Sequence, residues 1–333
     1  MVIDVNLGQN SYKIHIEKDA LNNLKEYFDL DRKVLIVSDD LIPNEFVLSV
    51  LNQLKNGFVV RFPHGEEKKN LDTYKNILSA LKENQFNRHD AIIALGGGLT
   101  SDMAGFAAST YMRGIDFYII PTTLLSQVDA SVGGKVAVNF DGIKNIVGAF
   151  YQPKAVLIDI NTLETLEPRL FNEGMAEVIK MAATSSKDLF ELLEKEDAKE
   201  NIEKIIYFSL MIKKNVVEQD EKEKWLRKVL NFGHTIGHAI EAKSDGKIYH
   251  GEAVAIGMLY MSKGLAKDRI KALLEKYNLP TKNPYSPIEL EDYLLLDKKS
   301  EGDSISVVEV ETIGEFKIKS ITHKELLKIV EEA

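Results

Sequence analysis

Residues 91–111 read AIIALGGGLTSDMAGFAASTY. Five apolar residues run into three glycines, and small and apolar residues at helical spacing follow. The reading is a buried strand over Ala91–Leu95, a turn at Gly96-Gly97-Gly98, and a helix from Thr100 to Tyr111. Glycines at such a junction let a phosphate approach the backbone, and the start of the helix favours an anion. The spacing is not GxGxxG, and the acid that accompanies that fingerprint is missing. Taken alone, the turn reads equally well as an ordinary strand-to-helix connection.

Outward from this stretch, Lys33–Ser38 (KVLIVS), Gly57–Phe62 (GFVVRF), Phe117–Ile120 (FYII) and Ala155–Ile158 (AVLI) read as further buried strands, with an amphipathic helix over Asp72–Glu83. This alternation predicts a largely parallel sheet covered by helices. Beyond about residue 160 the period changes. Glu173–Thr184, Lys187–Glu218, Leu226–Ala242 and Glu252–Tyr277 predict helices, the last ended by Leu279-Pro280. Ile305–Ile318 is expected to pair strands, and His323–Glu332 to form a terminal helix. The expected architecture is an α/β domain followed by a mainly helical one.

Bulk properties narrow the chemistry. The 333 residues suffice for two domains, and 44% of them are hydrophobic. Cysteine is absent, so a metal here must be held by His, Asp or Glu, and a reducing cytoplasm is the expected compartment. The N-terminus, MVIDVNLGQN, lacks the pattern of a signal peptide, and no apolar run reaches membrane-spanning length. A net charge of -9 argues against nucleic-acid and membrane-surface partners. The Lys/Glu tracts over 187–204 and 213–228 read as solvated helix faces.

Three of the seven histidines, His234, His238 and His250, fall close together. His234 and His238 stand four apart in NFGHTIGHAIE and share a helix face. His250 follows a polar loop and opens another apolar helix, so a helix–loop–helix return would bring it back to His234. Glu177 lies among small and apolar residues in EGMAEVIKMAA, where an unpaired carboxylate is expensive, and Lys180 follows three residues on. Two histidines and a glutamate with an open position form the pattern of a catalytic zinc, and the spacing is not the HExxH of metalloproteases. The competing reading is a structural histidine pair.

Polar groups also gather at Arg113, Thr122, Thr123, Asp129, Lys135, Lys144 and Asn145, with Lys135 directly after Gly133-Gly134. Several cations in one cleft would suit a substrate bearing a phosphate and a carboxylate. Lys213 and Arg227 lie in charge-rich sequence and read, by themselves, as surface residues. Asp39, at the end of KVLIVS, could accept from a ribose hydroxyl or simply cap a helix. Gly65-Glu66-x-x-Lys69 reads as a turn.

GGGLTSD, YMRG, PTTLLSQVDASVGGKVAV, KNIVGAFYQP, NEGMAEVIK, LNFGHTIGHAIE and HGEAVAIGM occur in that order, and together they resemble 3-dehydroquinate synthases over roughly residues 33–302. The resemblance extends, more distantly, to iron-dependent alcohol and glycerol dehydrogenases. It implies an α/β, Rossmann-like NAD-binding domain with a largely parallel sheet over 1–160 and a mainly α-helical metal- and substrate-binding domain over 161–333. It implies NAD and zinc (or cobalt in its place) as cofactors, a phosphorylated sugar acid as substrate and a homodimer as the assembly. The implied reaction takes 3-deoxy-D-arabino-heptulosonate 7-phosphate to 3-dehydroquinate and phosphate in the shikimate pathway. Transient oxidation at C5, phosphate elimination, re-reduction, ring opening and an intramolecular aldol closure make up the route.

Carried over by position, Glu177, His234 and His250 resemble the zinc ligands, and His238 a phosphate-site residue. Asp39, Glu66, Lys69, Gly97, Gly98, Asp102, Thr122 and Thr123 match the NAD-contacting set. Asp129, Lys135, Lys144, Asn145, Lys180, Lys213, Arg227 and Asn231 match substrate-contacting positions; of these, Asp129, Lys135, Lys180 and Lys213, with His238, are the expected catalytic residues. Arg113 resembles an arginine that reaches the phosphate held by a neighbouring subunit, and Lys298 or Lys299 a phosphate-binding lysine. Ser101 and Trp225 depart from the family pattern, each standing where glycine is common. Rival readings are another sugar-phosphate cyclase such as a 2-deoxy-scyllo-inosose synthase, a metal-dependent polyol dehydrogenase, and a non-catalytic binding protein.

Overall fold

The structure is a computed structural model describing residues 1–295 and 304–332. The chain forms two compact units, Met1–Leu166 and Glu167–Ala333, so the division falls after Leu166 rather than at 160.

The first unit holds β1 (Val2–Val5), β2 (Tyr12–Glu17), β3 (Lys33–Asp39), α1 (Asn44–Leu51), β4 (Asn56–Phe62), α2 (Leu71–Glu83), β5 (Ala91–Gly96), α3 (Gly98–Thr110), β6 (Asp116–Pro121), β7 (Lys135–Phe140), β8 (Ile143–Phe150) and β9 (Ala155–Asp159). Seven strands form one sheet in the order β1-β2-β9-β6-β5-β3-β4. All neighbours in it are parallel except β1 and β2. Every residue of β5 and β9 is buried, which is why these strands read as unbroken apolar runs rather than as alternation. Val34, Ile36, Ile93, Leu95, Ile120 and Leu157 belong to one core cluster.

From β3 the chain steps outward to β4 and then returns to the other side of β3 for β5. This reversal is a topological switch point, and open α/β sheets bind ligands beyond the carboxyl ends of the strands that flank it. The strand ends concerned carry Asp39 and the glycine turn.

Two hairpins escape the run-length reading. β1–β2 adds to the sheet edge through β9, and β7–β8 forms a separate antiparallel ribbon. The ribbon lies on α3 where Gly105 leaves room, since a Cβ there would collide with Val136.

The second unit contains α4 (Pro168–Ser185), α5 (Lys187–Lys195), α6 (Ile202–Gln219), α7 (His234–Ser244), α8 (His250–Tyr260), α9 (Gly264–Lys276), α10 (Pro287–Leu295), the hairpin β10 (Ser304–Glu309)–β11 (Lys317–Thr322) and α11 (His323–Glu332). Three expected long helices are each interrupted. Lys187–Glu218 breaks at Asp197, whose carboxylate takes the backbone N–H groups of Lys199 and Glu200. Leu226–Ala242 divides at Gly233, a left-handed residue at φ 79°, into a 3-10 turn and α7. Glu252–Tyr277 divides between Tyr260 and Gly264, where Ser262 bridges to Val310. Among the described residues no helix is long and apolar enough to cross a membrane.

Candidate active site

In the first unit the switch point is built chiefly from backbone and small side chains. Gly97 is the N-cap of α3 and Gly98 its first residue. A Cβ on Gly97 would stand 3.2 Å from the Thr123 methyl, and one on Gly98 3.2 Å from Ala130. Asp39 holds its place by accepting from the Thr100 hydroxyl at 2.8 Å and from the Leu41 N–H at 3.0 Å. It therefore does not cap a helix. Thr122 donates its N–H to the Gly96 carbonyl at 3.0 Å, and its buried hydroxyl has no hydrogen-bond partner among the described residues.

Beside this turn, Lys69 is buried, and its Nζ donates to Asp102 Oδ2 and Asn145 Oδ1, each at 2.5 Å. Glu66 accepts from the Asn139 side chain at 2.8 Å. Lys135, Lys144 and Asn145 are exposed on the β7–β8 ribbon, which the turn Gly133-Gly134 enters with positive φ at both residues. Asp129 sits in a π-helical turn, Ser126–Ala130. Arg113 is exposed and, like Met112 before it, left-handed, at φ 70° and 49°. Ser101 is buried, its hydroxyl bonded to the Gly97 carbonyl at 3.2 Å.

In the second unit Glu177 and Lys180 lie on α4 and are almost completely buried. Lys180 Nζ forms an ion pair with Glu177 Oε2, yet neither carboxylate oxygen accepts a well-oriented hydrogen bond. Glu177 Oε1 stands 3.7 Å from His234 Nε2 and 3.7 Å from His250 Nε2. Donors about 2.1 Å from a tetrahedral zinc lie roughly 3.4 Å from one another, so the three atoms are nearly at ligand spacing. The α7–α8 return brings the His234 and His250 rings within 5.2 Å, as the helix–loop–helix reading requires. His234, His238 and His250 offer nitrogens within 4.8 Å of one another, so this cluster can hold a metal ion. His238 is exposed, unlike the other two.

The environment also suits coordination. Burial, aided by the nearby Lys180 charge, pushes the His234 imidazole well below its ordinary pKa, so it stays neutral with a lone pair to give. Its Nδ1 faces the Phe232 carbonyl at 3.1 Å, which leaves Nε2 as the inward atom. At His250 burial also acts to lower the pKa, but Glu241, Glu177 and Glu173 outweigh it and the net shift is upward. Glu241 Oε2 lies 3.0 Å from His250 Nδ1, where a carboxylate can orient the imidazole for coordination through Nε2. Sequence reasoning passed over Glu241 although it stands seven residues beyond His234, two turns along the same face of α7.

Lys213 and Arg227 contradict the surface reading. Both are buried, at 5% and 3% exposure. Arg227 is drawn inward because Asp220 accepts the backbone N–H groups of Lys224, Trp225 and Arg227, folding the acidic tract back on itself. Its guanidinium donates to the Glu221 carbonyl at 2.6 Å. Asn231 Nδ2 donates to Glu223 at 3.0 Å. Trp225 is exposed. Lys298 and Lys299 lie outside the described residues.

Comparison with known proteins also divides the chain in two, a few residues later. Residues 59–173 match the 3-dehydroquinate synthase N-terminal family and residues 174–300 its C-terminal counterpart. A 3-dehydroquinate synthase of Helicobacter pylori (strain P12) is 45% identical, with 99% of this chain and 98% of the relative covered. The chain belongs to the 3-dehydroquinate synthase family. It is thus an enzyme of the sugar-phosphate cyclase group, with the mostly parallel nucleotide-type sheet and the helical histidine-bearing unit expected of that family. A 2-deoxy-scyllo-inosose synthase solved with carbaglucose-6-phosphate, NAD+ and Co2+ is 27% identical, covers all of both chains and superposes with a TM-score of 0.91. An NADH-dependent butanol dehydrogenase from Thermotoga maritima, 14% identical with 96% of both chains covered and a TM-score of 0.66, shares the fold alone.

Proposed function

We propose that this 3-dehydroquinate synthase family enzyme converts 3-deoxy-D-arabino-heptulosonate 7-phosphate to 3-dehydroquinate and phosphate, with NAD and zinc, as a cytoplasmic homodimer. The observation that carries the metal assignment is Glu177. A buried carboxylate with Lys180 on Oε2 and no hydrogen bond on Oε1, which faces two imidazole Nε2 atoms at 3.7 Å, would be stabilised further by a divalent cation. Glu177, His234 and His250 would hold it. When bound, the metal acidifies a substrate hydroxyl while NAD accepts a hydride from the substrate and later returns it, so no net oxidation results.

The remaining work falls to the chain's own side chains. Asp39 would accept the ribose hydroxyls of the nucleotide, its carboxylate disfavouring a 2′-phosphate. Gly97 and Gly98 would admit the pyrophosphate to the start of α3, with Glu66, Lys69, Asp102, Thr122 and Thr123 around the nucleotide. Lys135, Lys144 and Asn145 would bind the leaving phosphate, as would His238, Arg113 from a second copy and Lys298 or Lys299. Arg227 would orient the substrate carboxylate and Lys213 a hydroxyl, with Asp129, Lys180 and Asn231 positioning the rest of the sugar. The burial of Lys213 and Arg227 supports this, since a desolvated cation binds an anion more strongly than a surface one does.

The test supplies the heptulosonate phosphate, catalytic NAD and zinc, and follows phosphate release coupled to dehydroquinase. Phosphate and 3-dehydroquinate should form together, stop with chelator and leave no net NADH. Stoichiometric NADH would instead indicate a polyol dehydrogenase, and turnover of glucose 6-phosphate alone the 2-deoxy-scyllo-inosose reaction.

A further inference from the structure

The β7–β8 ladder pairs regularly from Lys135↔Phe150 to Val138↔Val147, then shifts and resumes at Phe140↔Ile143. Between these pairs Asn139 alone on β7 stands opposite three residues of β8, 144–146, so the bulge is in β8. A bulge disrupts the ladder locally, which frees the residue opposite it as well, and bulges gather beside active sites. Here the Asn139 N–H leaves the ribbon and donates to the Lys69 carbonyl at 2.8 Å. The Asn139 side chain then bridges two further residues. Its Oδ1 accepts the Asn145 N–H at 2.9 Å, and its Nδ2 donates to Glu66 Oε1 at 2.8 Å. The amide orientation is chemically determined, because a backbone N–H can meet only the oxygen and a carboxylate only the nitrogen.

Asn145 in turn sits in the left-handed region at φ 56°, which asparagine tolerates better than most residues. Its Oδ1 receives Lys69 Nζ. The contacts close a ring running from Lys69 to Asn145, to Asn139 and back to Lys69, with Glu66 attached. Glu66 and Lys69 have been assigned above to the cofactor, and Asn145 to the substrate phosphate.

We infer that Asn139 is a positioning residue that locks the cofactor turn, 65–69, and the substrate-binding end of the ribbon, 144–145, into one unit. The inference rests on the proposed roles of Glu66, Lys69 and Asn145. Asparagine is required because one short side chain must accept on one side and donate on the other. Aspartate keeps the acceptor for Asn145 but turns a second carboxylate on Glu66, so the two halves of the role can be separated.

The experiment uses the full-length zinc enzyme. The NAD dissociation constant is measured by calorimetry, and KM and kcat for the heptulosonate phosphate at saturating NAD. In N139A both the NAD constant and KM should rise about tenfold, with kcat changed less than about threefold, as expected for lost hydrogen bonds to charged and strained partners. In N139D the NAD constant should rise about tenfold while KM stays within about threefold of the wild type. The inference is overturned if N139A spares either constant, or if N139D moves both alike, since general loosening of the ribbon would do the latter. Should the wild type fail to turn over, the reaction assignment falls. The dissociation constants for NAD and inorganic phosphate would then put the same two variants to the same test.

Discussion

The two clusters of candidate site residues are opposite kinds of construction. Around the glycine turn, charges already have partners: Lys69 lies between Asp102 and Asn145, and Asp39 accepts from Thr100 and Leu41. In the second unit, Glu177 is buried with Lys180 as its ion-pair partner and two imidazoles at 3.7 Å, but without a hydrogen bond to either oxygen. The first could admit a guest at backbone without rearranging its own bonds. The second has Lys180 as a charge partner but leaves Glu177 Oε1 facing two imidazole nitrogens with no hydrogen bond. A polar cluster that completes itself adds to stability, whereas one that awaits a guest subtracts from it.

The strongest way to break this contrast is Glu177→Gln. It should abolish stoichiometric zinc after dialysis and lower turnover by roughly 10³ or more, because the coordinating charge is lost. Zinc retained at full occupancy would remove Glu177 from the metal centre. Next, the metal-free protein should gain about 1–4 kcal/mol when Glu177 and Lys180 are replaced together by Leu and Met, as buried ion pairs exchanged for apolar residues do. The matching exchange of Lys69 and Asp102 should lower stability instead, because Asn145 would lose its partner. Denaturant unfolding with chelator present measures both, and equal effects at the two places would erase the distinction. The smallest expected effect is at the glycine turn. Gly97→Ala should weaken NAD binding about tenfold by crowding the backbone approach and Thr123, with zinc affinity unchanged. An unchanged NAD constant would move the nucleotide away from this turn.

How much of this could be read beforehand differed between the units for a physical reason. The buried parallel strands, the Gly96–Gly98 junction and the histidine return follow from local pattern, since apolar run length and helical spacing are properties of neighbouring residues. The hairpin strands β1, β2, β7 and β8 do not, because their partners decide them and the ribbon face of β8 is largely exposed. The helix breaks at Asp197 and Gly233 were hidden by continuous apolar periodicity around them. Taken by themselves Lys213 and Arg227 read as surface residues, and only the family resemblance placed them at the substrate, because burial of a cation is decided by tertiary folding; for Arg227 the fold-back is anchored by Asp220, seven residues away. The bulge of β8 opposite Asn139 left no sequence mark, since NFDG between the two strands reads as an ordinary turn.

Strand β2, which joins the first hairpin to the sheet, has a consequence for how the chain is made. Its parallel partner is β9, and Asp19 and Leu21 just after β2 donate their backbone N–H groups to the Asp159 side chain, 140 and 138 residues away. At ordinary rates of synthesis that separation corresponds to roughly 7–30 seconds during which the first hairpin has left the ribosome without its neighbour. The nascent sheet must therefore carry an unpaired edge until residue 159 emerges. Release of a chain truncated before that point would set free a structure poised to pair with other chains rather than with itself.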